Sequence, residues 1–343
     1  MLCKGKVLIC NMQCSAVQYA VSRLSSAERF DTFLTLSTGR KEKDIDGRKR
    51  STGLLYVVQF YVVQREPVQV QCRGLKFCTL HCTTQHCTTT AITAYSATGK
   101  SYMMGGSPWF YTNLPGYGKS WAWRGDSLWY DRWQQVLDIL PEFAEIVTWN
   151  DFGESHYIGP IVESGIPQDP DTDARPYVDG MDHTAWLETL EWQIVAYKHA
   201  FDPIAYPAPS VKEDKIIYWY RLWPASAGLT SATGNNCPSP TNKFPYHECA
   251  PIGEVMEDGI FAIALLTAPG SVSIAIGGGA VQTLEGLQAG INFLSRPFGG
   301  EVGVVSVSSS SGVKGSGKEI LAQPVGRETN FNAWVGCAGA YGS

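Results

Sequence analysis

Several features that would assign this chain of 343 residues to a common class are scarce or missing. No run of about eighteen apolar residues occurs, so the sequence predicts no transmembrane helix. Near the N-terminus, Asn11 and Gln13 interrupt a brief apolar run, and we expect no functional signal peptide. No glycine-rich phosphate loop stands between a strand and a helix. The net charge of -5 argues against nucleic acid as the partner.

The first part of the chain has no tryptophan and few acidic residues. All eleven tryptophans lie at or after Trp109, whereas seven of the ten cysteines lie before residue 93. Residues 1–92 carry 13 Lys or Arg and 6 Asp or Glu, and the remainder carries 14 and 26. One folded domain is rarely so polarised. We therefore expect residues 1–92 to be an aberrant, poorly ordered segment.

Two stretches within that segment have patterns typical of a strand or of a metal site. Residues 54–63 form a strand-like apolar run. The Cys and His residues between Cys78 and Cys87 resemble a zinc module, but their spacing is not a paired C-x-x-C arrangement and no second ligand pair follows. The sequence therefore predicts no metal site.

Residues 93–205 have the pattern of a parallel α/β unit. Residues 100–104 and 144–148 are short apolar runs that predict strands, and helices are predicted over about 126–140 and 183–200. Strand and helix alternate at the lengths expected for a parallel sheet. The apolar positions of the first helix share one face and include Leu128, Trp129, Trp133, Val136, Leu137 and Leu140, of which the two tryptophans are assigned mainly to the core.

Residues 206–343 change to an all-β pattern. Strand-like runs alternate with segments rich in Gly, Ser and Pro, and no helical pattern interrupts them. This spacing predicts a β-sandwich-like domain. Cys237 and Cys249 flank a loop and would be able to bridge in a secreted protein, while Cys337 is left free.

The most informative stretch runs from Trp149 to Tyr157. It follows the predicted buried strand and contains Asp151 and Glu154, three residues apart. The end of a strand is where α/β barrels carry their catalytic side chains, and paired carboxylates are what glycoside hydrolysis requires. The alternative is a pair of solvated loop charges, because a D-x-x-E spacing is common on surfaces.

Aromatic and polar residues around this pair are candidates for sugar binding. Flat rings stack on the C–H faces of sugars, and loop aromatics are better placed for this than helical ones. The pair Arg124 and Asp126 would clamp hydroxyl groups, or Asp126 would only cap the following helix. His156 lies inside the carboxylate stretch and is assigned to the site, whereas His183 is predicted to be a surface histidine. The candidates for substrate binding are Trp109, Tyr111, Trp123, Arg124, Asp126, Trp149, Asn150, His156 and Tyr157.

Four motifs in order resemble glycoside hydrolase family 71, the fungal α-1,3-glucanases or mutanases. They occupy residues 107–115, 123–133, 148–160 and 178–181, and the likeness covers roughly residues 93–343. The resemblance implies a (β/α)8 TIM-type barrel followed by a β-sandwich-like domain. It also implies endo-hydrolysis of α-1,3-glucan with inversion, no cofactor, and an extracellular or cell-wall location.

The family's Trp-Asn-Asp-x-Gly-Glu motif carries its carboxylates, which correspond to Asp151 and Glu154. The resemblance assigns the general acid to Glu154 and the water-activating base to Asp151, with the reverse assignment open. Members of the family begin with several βα units that residues 1–92 do not match, so residues 93–205 are expected to form only the C-terminal part of the barrel. The alternative function is a non-catalytic carbohydrate-binding protein or a truncated remnant of the enzyme.

Overall fold

The computed structural model describes residues 6–9, 102–230, 252–322 and 330–339. The strand-like run at 54–63, the Cys/His run at 78–87 and the pair Cys237 and Cys249 lie outside these residues. Within them, no helix is both long enough and apolar enough to cross a membrane.

Mixed strands and helices build the first half of the described chain. A 3₁₀ turn, Thr184–Trp186, leads directly into the longest helix. In chain order the elements are β1 (Lys6–Ile9), β2 (Met103–Gly106), β3 (Tyr111–Leu114), β4 (Lys119–Ala122), α1 (Leu128–Ile139), β5 (Phe143–Ile146), the short α2 (Arg175–Val178) and α3 (Leu187–Phe201).

Three parallel strands form one sheet in the order β1-β5-β2. Ala144 in the central strand lies opposite Val7 on one side and Met104 on the other. A (β/α)8 barrel needs eight strands hydrogen-bonded in a closed ring, and the described residues show an open three-stranded sheet instead. The described residues therefore do not form the predicted barrel. The segment predicted to be aberrant nevertheless supplies β1 to this sheet.

Helix α1 buries the face that its apolar periodicity predicts. Trp129 and Trp133 are buried, which agrees with their assignment to the core. The helix ends at Leu140, which adopts a left-handed φ of 48°, and Pro141 cannot continue it. Trp129 Nε1 donates to Thr189 Oγ1 at 2.9 Å and so ties α1 to α3.

Between β2 and α1, where the sequence predicts neither strand nor helix, β3 and β4 form an antiparallel hairpin. A 3₁₀ turn, Pro115–Tyr117, connects the strands, and Gly118 follows it with φ of 64°, a conformation that glycine adopts without a steric penalty. After the hairpin, the chain passes close to the ring of Trp109 at Gly125, where a Cβ atom would lie 2.1 Å from the ring.

Two four-stranded antiparallel sheets make up most of the second half. Their orders are β10-β7-β6-β13 and β12-β11-β8-β9, which confirms the predicted β-sandwich-like arrangement. The elements are β6 (Lys215–Arg221), α4 (Ile252–Val255), β7 (Gly259–Leu266), β8 (Gly270–Ile276), β9 (Gln282–Leu287), β10 (Gly290–Pro297), β11 (Gly303–Ser309), β12 (Lys314–Ile320) and β13 (Ala333–Ala338).

The first of these sheets is buried on both faces. In β6, Ile216, Tyr218 and Tyr220 belong to the core shared with the second sheet. Ile217 and Trp219 point the other way and belong to the core that contains α1 and α3. Alternate residues face opposite sides of a strand, so a strand buried on both faces is apolar throughout. The sheet therefore packs against the second sheet with one apolar face and against the α/β part with the other.

Candidate active site

The carboxylate loop, residues 148–157, leaves the carboxyl end of the central strand β5. Its conformation is fixed by its own polar groups. The Asp151 N–H donates to Thr148 Oγ1 at 2.8 Å, and the Glu154 N–H donates to Asp151 Oδ1 at 3.1 Å. Ser155 then adopts φ of 58°, which is uncommon for a residue with a Cβ atom. This turn brings the side chains of Glu154 and His156 together although only one residue separates them.

Five side chains meet at this loop. His156 Nε2 lies 2.9 Å from Glu154 Oε2 and 4.0 Å from Asp151 Oδ2. Lys119, from β4, donates from its ammonium to Glu154 Oε1. The other ring nitrogen of His156 lies 3.0 Å from Ser107 Oγ. The predicted residues Asp151, Glu154 and His156 are thus neighbours, and their side chains are largely buried, with 11–15% exposed.

The two carboxyl groups differ in electrostatic environment. Burial raises the pKa of Asp151, more than the neighbouring His156 lowers it. Burial would also raise the pKa of Glu154, but hydrogen bonds from His156 and Lys119 outweigh it and lower that pKa to about 2. Two carboxyl groups with pKa values pushed apart are the arrangement that acid/base catalysis uses.

The spacing of the cluster raises the question of whether it binds a metal ion. Asp151, Glu154 and His156 each offer one ligand atom within 4.8 Å of the others, a spacing that a divalent cation is able to bridge. The Lys119 ammonium already occupies one oxygen of Glu154, however, and its positive charge opposes a cation at the same place. The donor set fits proton transfer better than metal binding.

The spacing of the carboxyl groups bears on the inverting mechanism implied by the resemblance. One oxygen of Asp151 and one of Glu154 lie within 4.8 Å of each other. An inverting pair is roughly 6.5–9.5 Å apart, because a water molecule must fit on the far side of the sugar. These are the nearest oxygens of two residues on one turn, and they are closer than that range, while the inverting mechanism stays a prediction.

An aromatic surface lies beside the cluster. The Trp123 side chain is 46% exposed. Its ring stacks on Phe110, with the centroids 4.4 Å apart. Phe110 in turn meets the His156 ring edge-on at 4.8 Å. Trp149 and Asn150 are half-buried in the carboxylate loop. The role of Trp123, Trp149 and Asn150 in sugar contacts stays a prediction.

Three predicted sugar-binding aromatics lie in the core instead. Trp109 and Tyr111 are each 1% exposed, and Tyr157 is fully buried. Trp109 Nε1 donates to Phe331 O at 2.9 Å, and Tyr157 Oη donates to Met181 O at 2.5 Å. Their assignment to a cleft is wrong because the sandwich, distant in sequence, covers them.

Arg124 and Asp126 form neither a hydroxyl clamp nor a helix cap. Arg124 Nε donates to Val255 O at 3.0 Å, and Asp126 Oδ2 accepts the Glu257 N–H at 3.1 Å. The residue before α1 is Ser127, and no side chain caps the helix. Asp126 is only 3% exposed, so it contacts the sandwich and not solvent.

His183 is also placed differently from its prediction as a surface residue. The ring is fully buried and stacks on Tyr157, with the centroids 4.0 Å apart. Its nitrogens lie 2.8 Å from Tyr157 O and 2.9 Å from Ala333 O. Burial lowers the pKa of His183 to about 4, although the two carbonyl oxygens favour the charged ring. His183 therefore links the carboxylate loop to β13.

Sequence reasoning missed Lys119, Ser107 and Tyr177. Tyr177 Oη donates to Gly153 O at 2.8 Å and supports the carboxylate loop from α2. Ser107 lies in a motif of the family resemblance, and Lys119 lies in a stretch for which the sequence predicts no strand or helix. A lysine that returns toward the carboxylates becomes apparent only when the β3–β4 hairpin is recognised.

A buried pair of carboxyl groups with opposed pKa shifts thus lies beside an exposed aromatic surface. The family comparison makes this specific. The model of glycosyl hydrolase family 71 matches residues 83–342, so this chain belongs to that family, and the match begins at residue 83 rather than at about 93.

Curated relatives agree with this assignment. A glucan endo-1,3-alpha-glucosidase, agn1, of Schizosaccharomyces pombe is 34% identical over 244 residues, which cover 70% of this chain and 51% of that protein. A mutanase of Penicillium rubens is 32% identical over 246 residues, covering 69% and 48%. An ascus wall endo-1,3-alpha-glucanase of S. pombe is 30% identical over 146 residues, covering 43% and 32%.

The chain thus spans about half the length of the first two relatives. No solved structure matches it.

Proposed function

We propose that this protein hydrolyses α-1,3-glucan, with Asp151 and Glu154 as its catalytic carboxyl groups. The observation that carries the proposal is the contact of these two residues with His156 in one loop, inside the matched family region. The relatives named as α-1,3-glucanases support the choice of substrate.

The two environments suggest how the roles are divided. Asp151, whose pKa is raised by burial, is the better proton donor of the pair and protonates the leaving glycosidic oxygen as the C–O bond breaks. Glu154, whose pKa is lowered, stays ionised and stabilises the positive charge that develops on the sugar. Water supplies the new oxygen at the anomeric carbon, and the proton that it loses restores the acid form of Asp151. This division reverses the assignment implied by the resemblance, which left that alternative open.

The surroundings suggest a place for the glucan chain. Trp123, stacked on Phe110 and exposed, provides a platform for a sugar ring next to His156. Trp149 and Asn150 lie on the same loop as the carboxyl groups. In this proposal residues 93–205 supply the site, and residues 206–343 support it through the sandwich. The ascus wall glucanase among the relatives supports an extracellular or cell-wall location.

The test is release of reducing ends from insoluble α-1,3-glucan by wild type, Asp151→Asn and Glu154→Gln. Each variant is isosteric, and we expect activity to fall by roughly 10²–10⁴-fold, the usual contribution of a general acid or base. Asp169→Asn and Glu163→Gln are matched controls, because both residues are exposed carboxylates of the following loop. Full activity in both site variants would refute the assignment. Proton NMR of the first released sugar distinguishes inversion from retention.

One observation favours a second candidate, a carbohydrate-binding remnant without activity. The described residues contain three parallel strands where a complete barrel has eight. Co-sedimentation with insoluble α-1,3-glucan, combined with no sugar release from wild type, would support this candidate over the enzyme.

A further inference from the structure

Lys119 is a charged member of the carboxylate cluster that the proposed chemistry leaves without a role. It is the first residue of β4, and its ammonium donates to Glu154 Oε1 across the hairpin and the carboxylate loop. The Lys119 side chain is 38% exposed, whereas that of Glu154 is 15% exposed. The lysine thus reaches from the surface into a site that is otherwise largely buried.

The second oxygen of Glu154 is engaged as well. His156 Nε2 lies 2.9 Å from Oε2, and Ser107 lies 3.0 Å from the other nitrogen of the same ring. A carboxylate has two oxygens and accepts hydrogen bonds through both. Because each oxygen has its own donor, the orientation of the group is fixed, and a proton added to it would displace one of the two donors.

We propose that Lys119 is a positioning residue for the hydrolysis: its ammonium holds Glu154 in one orientation and keeps it ionised. The kinetic consequence rests on the proposed function, whereas the contact itself does not. Lys119 touches Glu154 and is not required to touch the sugar.

The other groups that face Glu154 do not replace this effect. Asp151 is a second carboxyl group, so it supplies no positive charge to Glu154 in either protonation state, and its ionised form would disfavour a charged Glu154. Burial raises the pKa of Tyr177, which keeps this residue neutral. His156 remains as a donor, but burial opposes the charged carboxylate and is the largest influence on it. Without the lysine, Glu154 is left buried with one donor for two oxygens.

A titration of the full chain tests the proposal without any need for activity. The carboxyl carbon of Glu154 is followed by ¹³C NMR and assigned with Glu154→Gln. In wild type the midpoint is expected at about 2. In Lys119→Met it is expected to rise by roughly one to three pH units, the usual effect of losing an opposite charge. Lys119→Arg is expected to keep the low midpoint, and so is Lys212→Met, which removes an exposed lysine that pairs with Glu191.

The kinetic measurement uses the same variants on α-1,3-glucan. We expect Lys119→Met to lower kcat with little change in KM. The acid limb of its kcat/KM profile should move to higher pH by the same amount as the titration midpoint of Glu154. Lys119→Arg should restore the profile, which a merely structural role would not predict. An unchanged Glu154 midpoint in Lys119→Met would overturn the proposal. A wild-type chain that releases no sugar would instead refute the proposed function, and the titration would still decide the role of Lys119.

Discussion

Asp126 offers a pH-dependent test of how the α/β part contacts the sandwich. Burial raises its pKa from 3.8 to about 6, although the Glu257 N–H and the charges of Arg221 and Arg124 favour the ionised form. The folded protein therefore binds this proton more tightly than the unfolded chain does. The stabilising contribution is fully present below pH 3.8 and is lost as the pH rises through about 6.

The size of this effect follows from the two pKa values. They differ by about 2 pH units, and each unit corresponds to about 1.4 kcal/mol, so ionised Asp126 costs about 3 kcal/mol above pH 7. Asp126→Asn has the same shape and keeps an oxygen for the Glu257 N–H, but it carries no charge. We expect the variant to match wild type near pH 4 and to exceed its free energy of unfolding by up to about 3 kcal/mol at pH 8.

Urea unfolding followed by tryptophan fluorescence, at intervals between pH 4 and pH 8, measures this difference directly. Effects of pH on other groups cancel, because both proteins share them. Asp126→Ala is the control: it loses the acceptor for Glu257, so it should be less stable than Asp126→Asn at every pH. A difference between wild type and Asp126→Asn that stays constant across the range would refute the reasoning.

Two further predictions concern the aromatic platform and the buried histidine. Trp123→Ala should weaken co-sedimentation with α-1,3-glucan while changing the free energy of unfolding by less than about 0.5 kcal/mol. The buried Trp129 is the contrast, and Trp129→Ala should lower the free energy of unfolding by about 3–5 kcal/mol. Unchanged glucan binding in Trp123→Ala would contradict the role of Trp123 as a platform for a sugar ring. At pH 7.5 the neutral His183 ring donates one N–H, so His183→Phe should destabilise by about 1–3 kcal/mol for the one carbonyl oxygen, of Tyr157 or Ala333, that loses its donor. Because burial lowers the pKa of His183 from 6.5 to about 4, wild type should lose part of this advantage as the pH falls from 6.5 toward 4, which thermal unfolding at several pH values checks.

Elements with a clear period were predictable from the sequence. Helix α1 was expected over about 126–140 and forms over Leu128–Ile139, since its tryptophans repeat at helical spacing. One of the strand-like runs of the all-β part forms the strand Gly259–Leu266, because a strand buried on both faces is apolar throughout. The β3–β4 hairpin was missed because Pro115, Gly116 and Gly118 read as a loop, and its short strands carry no alternating pattern.

The candidate site was predictable only in part, for a different reason. Asp151, Glu154 and His156 are close in sequence, so their motif already places them together. Trp109 and His183 were assigned to a cleft and to the surface because their covering residues, Phe331 and Ala333, are 222 and 150 residues away. Burial of that kind depends on tertiary contacts that no local pattern contains.

The contact between the carboxylate loop and the residues next to β13 has a consequence for the order of events during synthesis. The groups that fix Tyr157 include the side chain of Asn332, 175 residues later in the chain. At roughly 5–20 residues per second, a ribosome needs on the order of ten seconds or more to make that stretch. During this interval the carboxylate loop has left the ribosome without its final partners. Nascent protein should therefore acquire the native loop late, however early the helices around it form.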